Sequence, residues 1–115
     1  MKKFILFILL FFCFQANAAS KYEFYGEIKT TNIIDENNKK NKYDLISLNK
    51  PENIYIYSED ESFHNVNKIQ LNYMGNKLKI KYDKPAIVYC KNVYSADSMY
   101  HFTDVLCIVD KIKYK

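Results

Sequence analysis

Beyond residue 19 this chain holds no long amphipathic helix; its apolar and β-branched residues fall into five or six short alternating runs. That pattern confines the fold to a small all-β barrel or sandwich, since short strands with turn signals between them bury one face each. Tyr22–Thr31 reads as the first strand, interrupted by Gly26, where the backbone either bulges or closely approaches a neighbour. Asn32–Lys42 is polar and reads as a solvated loop. Tyr43–Leu48 alternates as a second strand, with Tyr43, Leu45 and Ser47 on one face and Asp44, Ile46 and Leu48 on the other. Asn49-Lys50-Pro51 punctuates it before a third, Ile54–Tyr57.

Ser58–Asn65 carries Glu59, Asp60 and Glu61 in a row. Three acids behind a serine predict a helical turn capped by Ser58; the alternative is an acidic finger for a basic partner. Val66–Tyr73 continues as a strand. Residues 76–82 fit either a strand or a helical turn before Asp83-Lys84-Pro85. Ala86–Tyr94 and Thr103–Tyr114 form the two strongest strands and flank the loop Ser95–Phe102.

The first residues read as an address. Lys2 and Lys3 precede the apolar run Phe4–Phe14, and Ala16 and Ala18 supply small residues at the positions a signal peptidase reads. Residues 1–18 are therefore expected to be a cleaved signal peptide, and 19–115 a single small β-barrel domain in the periplasm or secreted. About 11 apolar residues do not span a bilayer core of ~30 Å, so no stable membrane anchor is expected after cleavage.

Cleavage removes two of the 17 lysines and none of the 13 acids, leaving 15 against 13, or +2. With so small an excess and no arginine, the chain lacks the concentrated basic face that nucleic-acid binding uses.

Export leaves Cys90 and Cys107, an even count in an oxidising compartment, and a disulfide is the default. If the last two strands pair about the Ser95–Phe102 loop, opposing residue numbers sum to 197. Cys90 then faces Cys107, and Val88 faces Val109. The same register sets Val88, Val105 and Val109 on the cysteines' face, and Tyr89, Leu106 and Ile108 on the other.

No nucleophile–base signature, P-loop, Rossmann glycine pattern or metal-ligand spacing occurs, so no enzyme, cofactor or metal is expected. His64 and His101 are the only histidines, each among polar neighbours that loops routinely collect. Tyr55, Tyr57, Tyr73, Tyr89 and Tyr94 could stack on bases or sugars, but tyrosines on strands more often fill a half-buried sheet. The apolar run Met99, Tyr100, His101 and Phe102 is costly on a surface unless something covers it. It is expected either to be a contact surface or to fold back as a lid on the barrel end. Small size, export and the lack of catalytic chemistry point to a binding protein. Another periplasmic protein is the expected partner, as for an inhibitor or immunity protein, met by this run or by Glu59–Glu61. The alternative is a binder of a small ligand or oligosaccharide on the tyrosine-rich face.

The stretch Asp83–Ile112 resembles the exported bacterial family called domain of unknown function four-four-three-one. Lys84, Ile87, Tyr89 and Val93 follow the pattern of its first strand there; His101, Thr103, Val105, Leu106, Val109 and Ile112 follow its second. Tyr25-Gly26-Glu27-Ile28, Leu48-Asn49-Lys50-Pro51 and Ile69-Gln70-Leu71 also look like the family. The resemblance implies an OB-like antiparallel barrel with at most one short helix. Asp83 and Lys91 stand where the family has glycine, and Cys90 and Cys107 where it usually has threonine and leucine. Of its loop histidines only His101 is present.

Overall fold

A computed structural model of the chain describes residues 22–34, 36–98 and 100–115. The expected signal peptide lies outside these residues, as does Met99. Five strands, β1 (Tyr22–Ile34), β2 (Lys40–Ile56), β3 (Glu61–Asn72), β4 (Pro85–Ser95) and β5 (Val105–Tyr114), close into a barrel in the order β1-β2-β3-β5-β4. Four neighbouring pairs are antiparallel; β3 and β5 run parallel over Gln70–Asn72 and Leu106–Ile108. The expectation of an antiparallel barrel is thus corrected at one seam.

The alternation seen in the sequence decides what faces inward. Phe24, Ile28, Ile46, Ile54, Ile56, Ile69, Val88, Val93, Val105 and Val109 fill one core together with Cys90 and Cys107. Tyr89 and Ile108 are only half-buried, as their opposite parity requires.

Several local expectations are corrected. First, β1 reaches Ile34 and β2 begins at Lys40, so most of the expected 32–42 loop is a hairpin ladder, Asn32 pairing with Lys42 and Ile34 with Lys40. The Asn49-Lys50-Pro51 break does not separate two strands either. It lies in a register shift between the Ser47–Lys68 and Glu52–Val66 pairs, where a proline without an N–H is tolerated.

Second, Ser58 caps no helix. Tyr57–Asp60 is a turn, closed by the Glu59 N–H donating to Ile56 O at 3.2 Å, and Asp60 takes a φ of 48°. Glu61 already pairs with Ile56 as the first residue of β3. Third, residues 76–82 form neither strand nor helical turn. They are irregular, and Leu78 and Ile80 pack on the core. No helix occurs among the described residues.

Gly26 is a close approach rather than a bulge. It pairs with Leu48 of β2 and Ala86 of β4, where β1 passes from one neighbour to the other. A Cβ there would stand 2.0 Å from the Ser47 carbonyl oxygen. Asp83, in one of the two positions where the resemblance has glycine, adopts a φ of 61°.

The disulfide forms, but not through the expected pairing. Opposed residues of β4 and β5 sum to 200 over most of the hairpin, so Cys90 faces Val109 and Cys107 faces Val93. The register shifts twice, skipping Asp110 on β5 and then Lys91 on β4. The loop runs on to Asp104, and β5 begins at Val105, two residues beyond the expected strand start at Thr103. Cys90 and Cys107 are therefore diagonal neighbours, normally about 7–8 Å apart. The bulges strengthen the local twist, and the Cα atoms close to 5.6 Å with an S–S bond of 2.02 Å.

Candidate functional site

The described residues of the β4–β5 connection do not stand free. They fold against the outside of the barrel, along the row that pairs Leu45 with Gln70 and Gln70 with Leu106, which faces Tyr94 in turn. Leu45 and Leu106 are buried yet stand outside the barrel core. Gln70, between them, holds the loop. Its Nε2 donates to Tyr100 O at 3.1 Å, its Oε1 accepts from the Phe102 N–H at 2.8 Å, and its own N–H donates to Thr103 Oγ1 at 2.9 Å. Thr103 Oγ1 donates onward to Val105 O at 2.6 Å.

The aromatic run divides under this tether. Phe102 folds back and stacks on Tyr43, with ring centroids 4.7 Å apart. His101 meets Tyr94 edge-on at 5.5 Å. Its Nδ1 accepts from the Asp97 N–H at 2.9 Å, so the Asp97 carboxylate, 3.0 Å from the same nitrogen, pairs with it only when the ring is protonated. Tyr100 remains 64% exposed.

Beside Tyr100 opens a cleft of about 650 Å³, whose lining includes Asp44, Gln70, Asn72, Tyr94, Tyr100 and His101. The Asn72 side chain donates to Tyr94 OH at 3.3 Å, fixing that ring. Asp44 Oδ2 accepts from Tyr73 OH at 2.6 Å and Tyr82 OH at 3.0 Å. Burial and the carboxylate together push both phenols above their ordinary pKa. Both donors converge on the same oxygen. The cleft therefore offers aromatic edges, amides and a carboxylate in one open depression. Across Tyr100 lies a smaller notch of about 330 Å³, lined by Ile33, Ile34, Glu36, Asn37, Asn41 and Phe102 from the β1–β2 turn and the loop.

The three acids do not act together. Glu59 accepts from the Ser95 N–H at 2.9 Å and the Ser95 hydroxyl at 2.5 Å, latching the β2–β3 turn to the end of β4. These bonds hold its carboxyl below the ordinary carboxylate range. Asp60 accepts from the Tyr55 hydroxyl, and Glu61 lies exposed on β3. His64 is exposed on the same strand. Among the described residues no group of three or more His, Cys, Asp or Glu side chains is placed to hold a metal.

The five tyrosines singled out in the sequence separate. Tyr73 and Tyr94 line the cleft, Tyr55 and Tyr57 meet edge-on at 4.9 Å by the β2–β3 turn, and Tyr89 lies on the outside of β4 under Lys111. Sequence reasoning missed Gln70, Asn72 and Asp44. Only the strand register brings them to the loop. No family model, curated protein or solved structure matches this chain.

Proposed function

We propose that this is an exported, non-enzymatic binding protein on an OB-like barrel, and that an oligosaccharide occupies the cleft beneath Tyr100. Kinship with the family of domain of unknown function four-four-three-one belongs to the same proposal. The observation that carries it is the mixed lining: Tyr94 and Tyr100 beside Gln70, Asn72 and Asp44. Sugar rings offer apolar C–H faces to aromatic rings and hydroxyls to amides and carboxylates, and binding clefts join such groups at this volume. The strand order β1-β2-β3-β5-β4 supports the OB-like reading. Barrels of that kind bind ligands on the β2–β3 face and on the β1–β2 and β4–β5 loops. A buried disulfide suits an oxidising compartment such as the periplasm.

The test is titration of the isotope-labelled mature protein with a panel of soluble oligosaccharides, followed by amide chemical shifts. Saturable shifts at Gln70, Asn72 and Tyr94 are expected. Their absence at millimolar sugar would overturn the ligand class.

One observation favours a protein partner instead, as for an inhibitor or immunity protein. Tyr100 is an exposed aromatic on a loop pinned at Gln70, the kind of anchor that dominates protein interfaces. Capture of a specific periplasmic protein by tagged mature chain, lost on replacing Met99 and Tyr100 by Ser at unchanged melting temperature, would establish that reading.

A further inference from the structure

A different part of the barrel exterior, the outer face of β1, β4 and β5, is arranged in three parallel columns. Strand pairing sets Glu23 beside Tyr89 and Tyr89 beside Lys111, and Tyr25 beside Ile87 and Ile87 beside Lys113. Glu27 pairs with Pro85, whose carbonyl accepts from the Lys115 N–H at 3.2 Å. One edge of the face is thus acidic at both ends, the middle is apolar and aromatic, and the other edge is all lysine. Tyr25, on the acidic edge, is 42% exposed. Lys111 lies 4.8 Å over the Tyr89 ring and Lys115 5.7 Å over that of Tyr25, so the lysines already incline toward the centre.

We propose that this face docks on a second copy of itself. A self-complementary interface needs a patch that matches its own image under a two-fold rotation, and this one does so about a single axis. An axis parallel to the strands, running along Ile87 and Tyr89, lays the acidic column of each copy on the lysine column of the other. Glu23 then meets the partner's Lys111, Glu27 the partner's Lys115, and Tyr25 the partner's Lys113. An axis across the strands would set acid on acid and lysine on lysine. The charges therefore select the orientation as well as the partner.

Three strands about 4.8 Å apart and five residues at about 3.4 Å each define a small footprint. Its area is well below the ~800 Å² per partner of tight complexes, so the dimer is weak and concentration-dependent.

Sedimentation velocity of the mature protein from 10 µM to 1 mM tests this. Raising the salt from 0.01 to 1 M shortens the screening length from about 30 to 3 Å, and the dimer present in low salt should dissociate. The decisive arm uses two variants, Glu23→Lys with Glu27→Lys, and Lys111→Glu with Lys115→Glu, each first shown to melt as the wild type does. Each alone should be monomeric, because like columns then face one another; mixed in equal amounts they should form a heterodimer. A monomer at every concentration, a dimer indifferent to salt, or a mixture that stays monomeric would each overturn the proposal. None of these outcomes depends on what fills the cleft.

Discussion

Replacing Gln70 by Ala should release the β4–β5 loop without unfolding the barrel. The side chain makes two bonds to the loop, at 3.1 Å to Tyr100 O and 2.8 Å from the Phe102 N–H, while the Gln70 backbone bond to Thr103 Oγ1 survives the change. A net 0.5–1.5 kcal/mol per bond gives about 1–3 kcal/mol, and because Gln70 is half-buried the lower part, about 1–2 kcal/mol, applies. For a domain of this size that lowers the melting temperature by roughly 4–16 °C. Locally the effect is sharper. The Phe102 amide loses its acceptor, and its hydrogen exchange should quicken by a factor of about 5–30, with core amides such as Val88 following only the global loss. Gln70→Glu separates the two bonds. It keeps an acceptor for Phe102 but sets an oxygen against Tyr100 O, so Phe102 should stay protected while the loop near Tyr100 loosens. Unchanged Phe102 exchange in Gln70→Ala would refute the tether, and with it the account of why Phe102 folds back.

Gly26→Ala should cost more than any surface change, since the new methyl group would stand 2.0 Å from the Ser47 carbonyl; β1 or β2 must move, and a loss of about 3 kcal/mol or more is expected by urea titration. Reducing the bond between Cys90 and Cys107, which are separated by 17 in sequence, frees a loop worth about 3 kcal/mol in the chain-entropy model, and should appear as a lower urea midpoint in the Cys90→Ala, Cys107→Ala double variant. Glu59, held below its usual pKa by Ser95, stabilises the fold above the unfolded-state carboxylate pKa and loses that contribution as pH falls through its lower folded value. The Glu59→Gln variant should therefore show a shallower fall in stability on acidification below about pH 4.5, and an identical acid limb would count against the latch.

The inward face was legible in the sequence because a period of two in β-branched residues leaves little choice. Val88, Val105 and Val109 join Cys90 and Cys107 in the core as their parity required, and the crosslink was expected from the even cysteine count left by the signal-peptide reading. What failed was whatever depended on counting through irregular chain. The hairpin register missed by three because the loop extends to Asp104, and the two bulges, at Asp110 and Lys91, leave no mark in composition. The acidic run was misread as a helical cap because serine and acids suit a tight turn as well as a helix end. The cleft was invisible for a deeper reason. Gln70 and Asn72 lie on β3, Asp44 on β2 and Tyr94 on β4; the β2–β3 pairing brings Asp44 to them and the parallel β3–β5 seam brings Tyr94, contacts that no local pattern encodes.

The bulges of the β4–β5 hairpin explain why the disulfide sits where it does. A hairpin with two compensating bulges has neighbouring registers close in energy, and a slip of one residue would turn every outward side chain inward. Cys90 and Cys107 lie at that irregularity, Cys90 between the two shifts and Cys107 just beyond them. Their bond excludes a slip of one residue, which would put the two sulfurs on opposite faces of the hairpin. It keeps Leu106 opposite Tyr94 and beside Gln70, the row on which the loop rests and along which the cleft opens. On this argument, removing both cysteines should do more than lower stability. Val substituted at both positions fills the interior without the crosslink. The variant should then show faster amide exchange at Leu106 and Tyr94 than its loss of global stability accounts for. Exchange at those two positions that merely tracks global unfolding would mean that core packing alone sets the register.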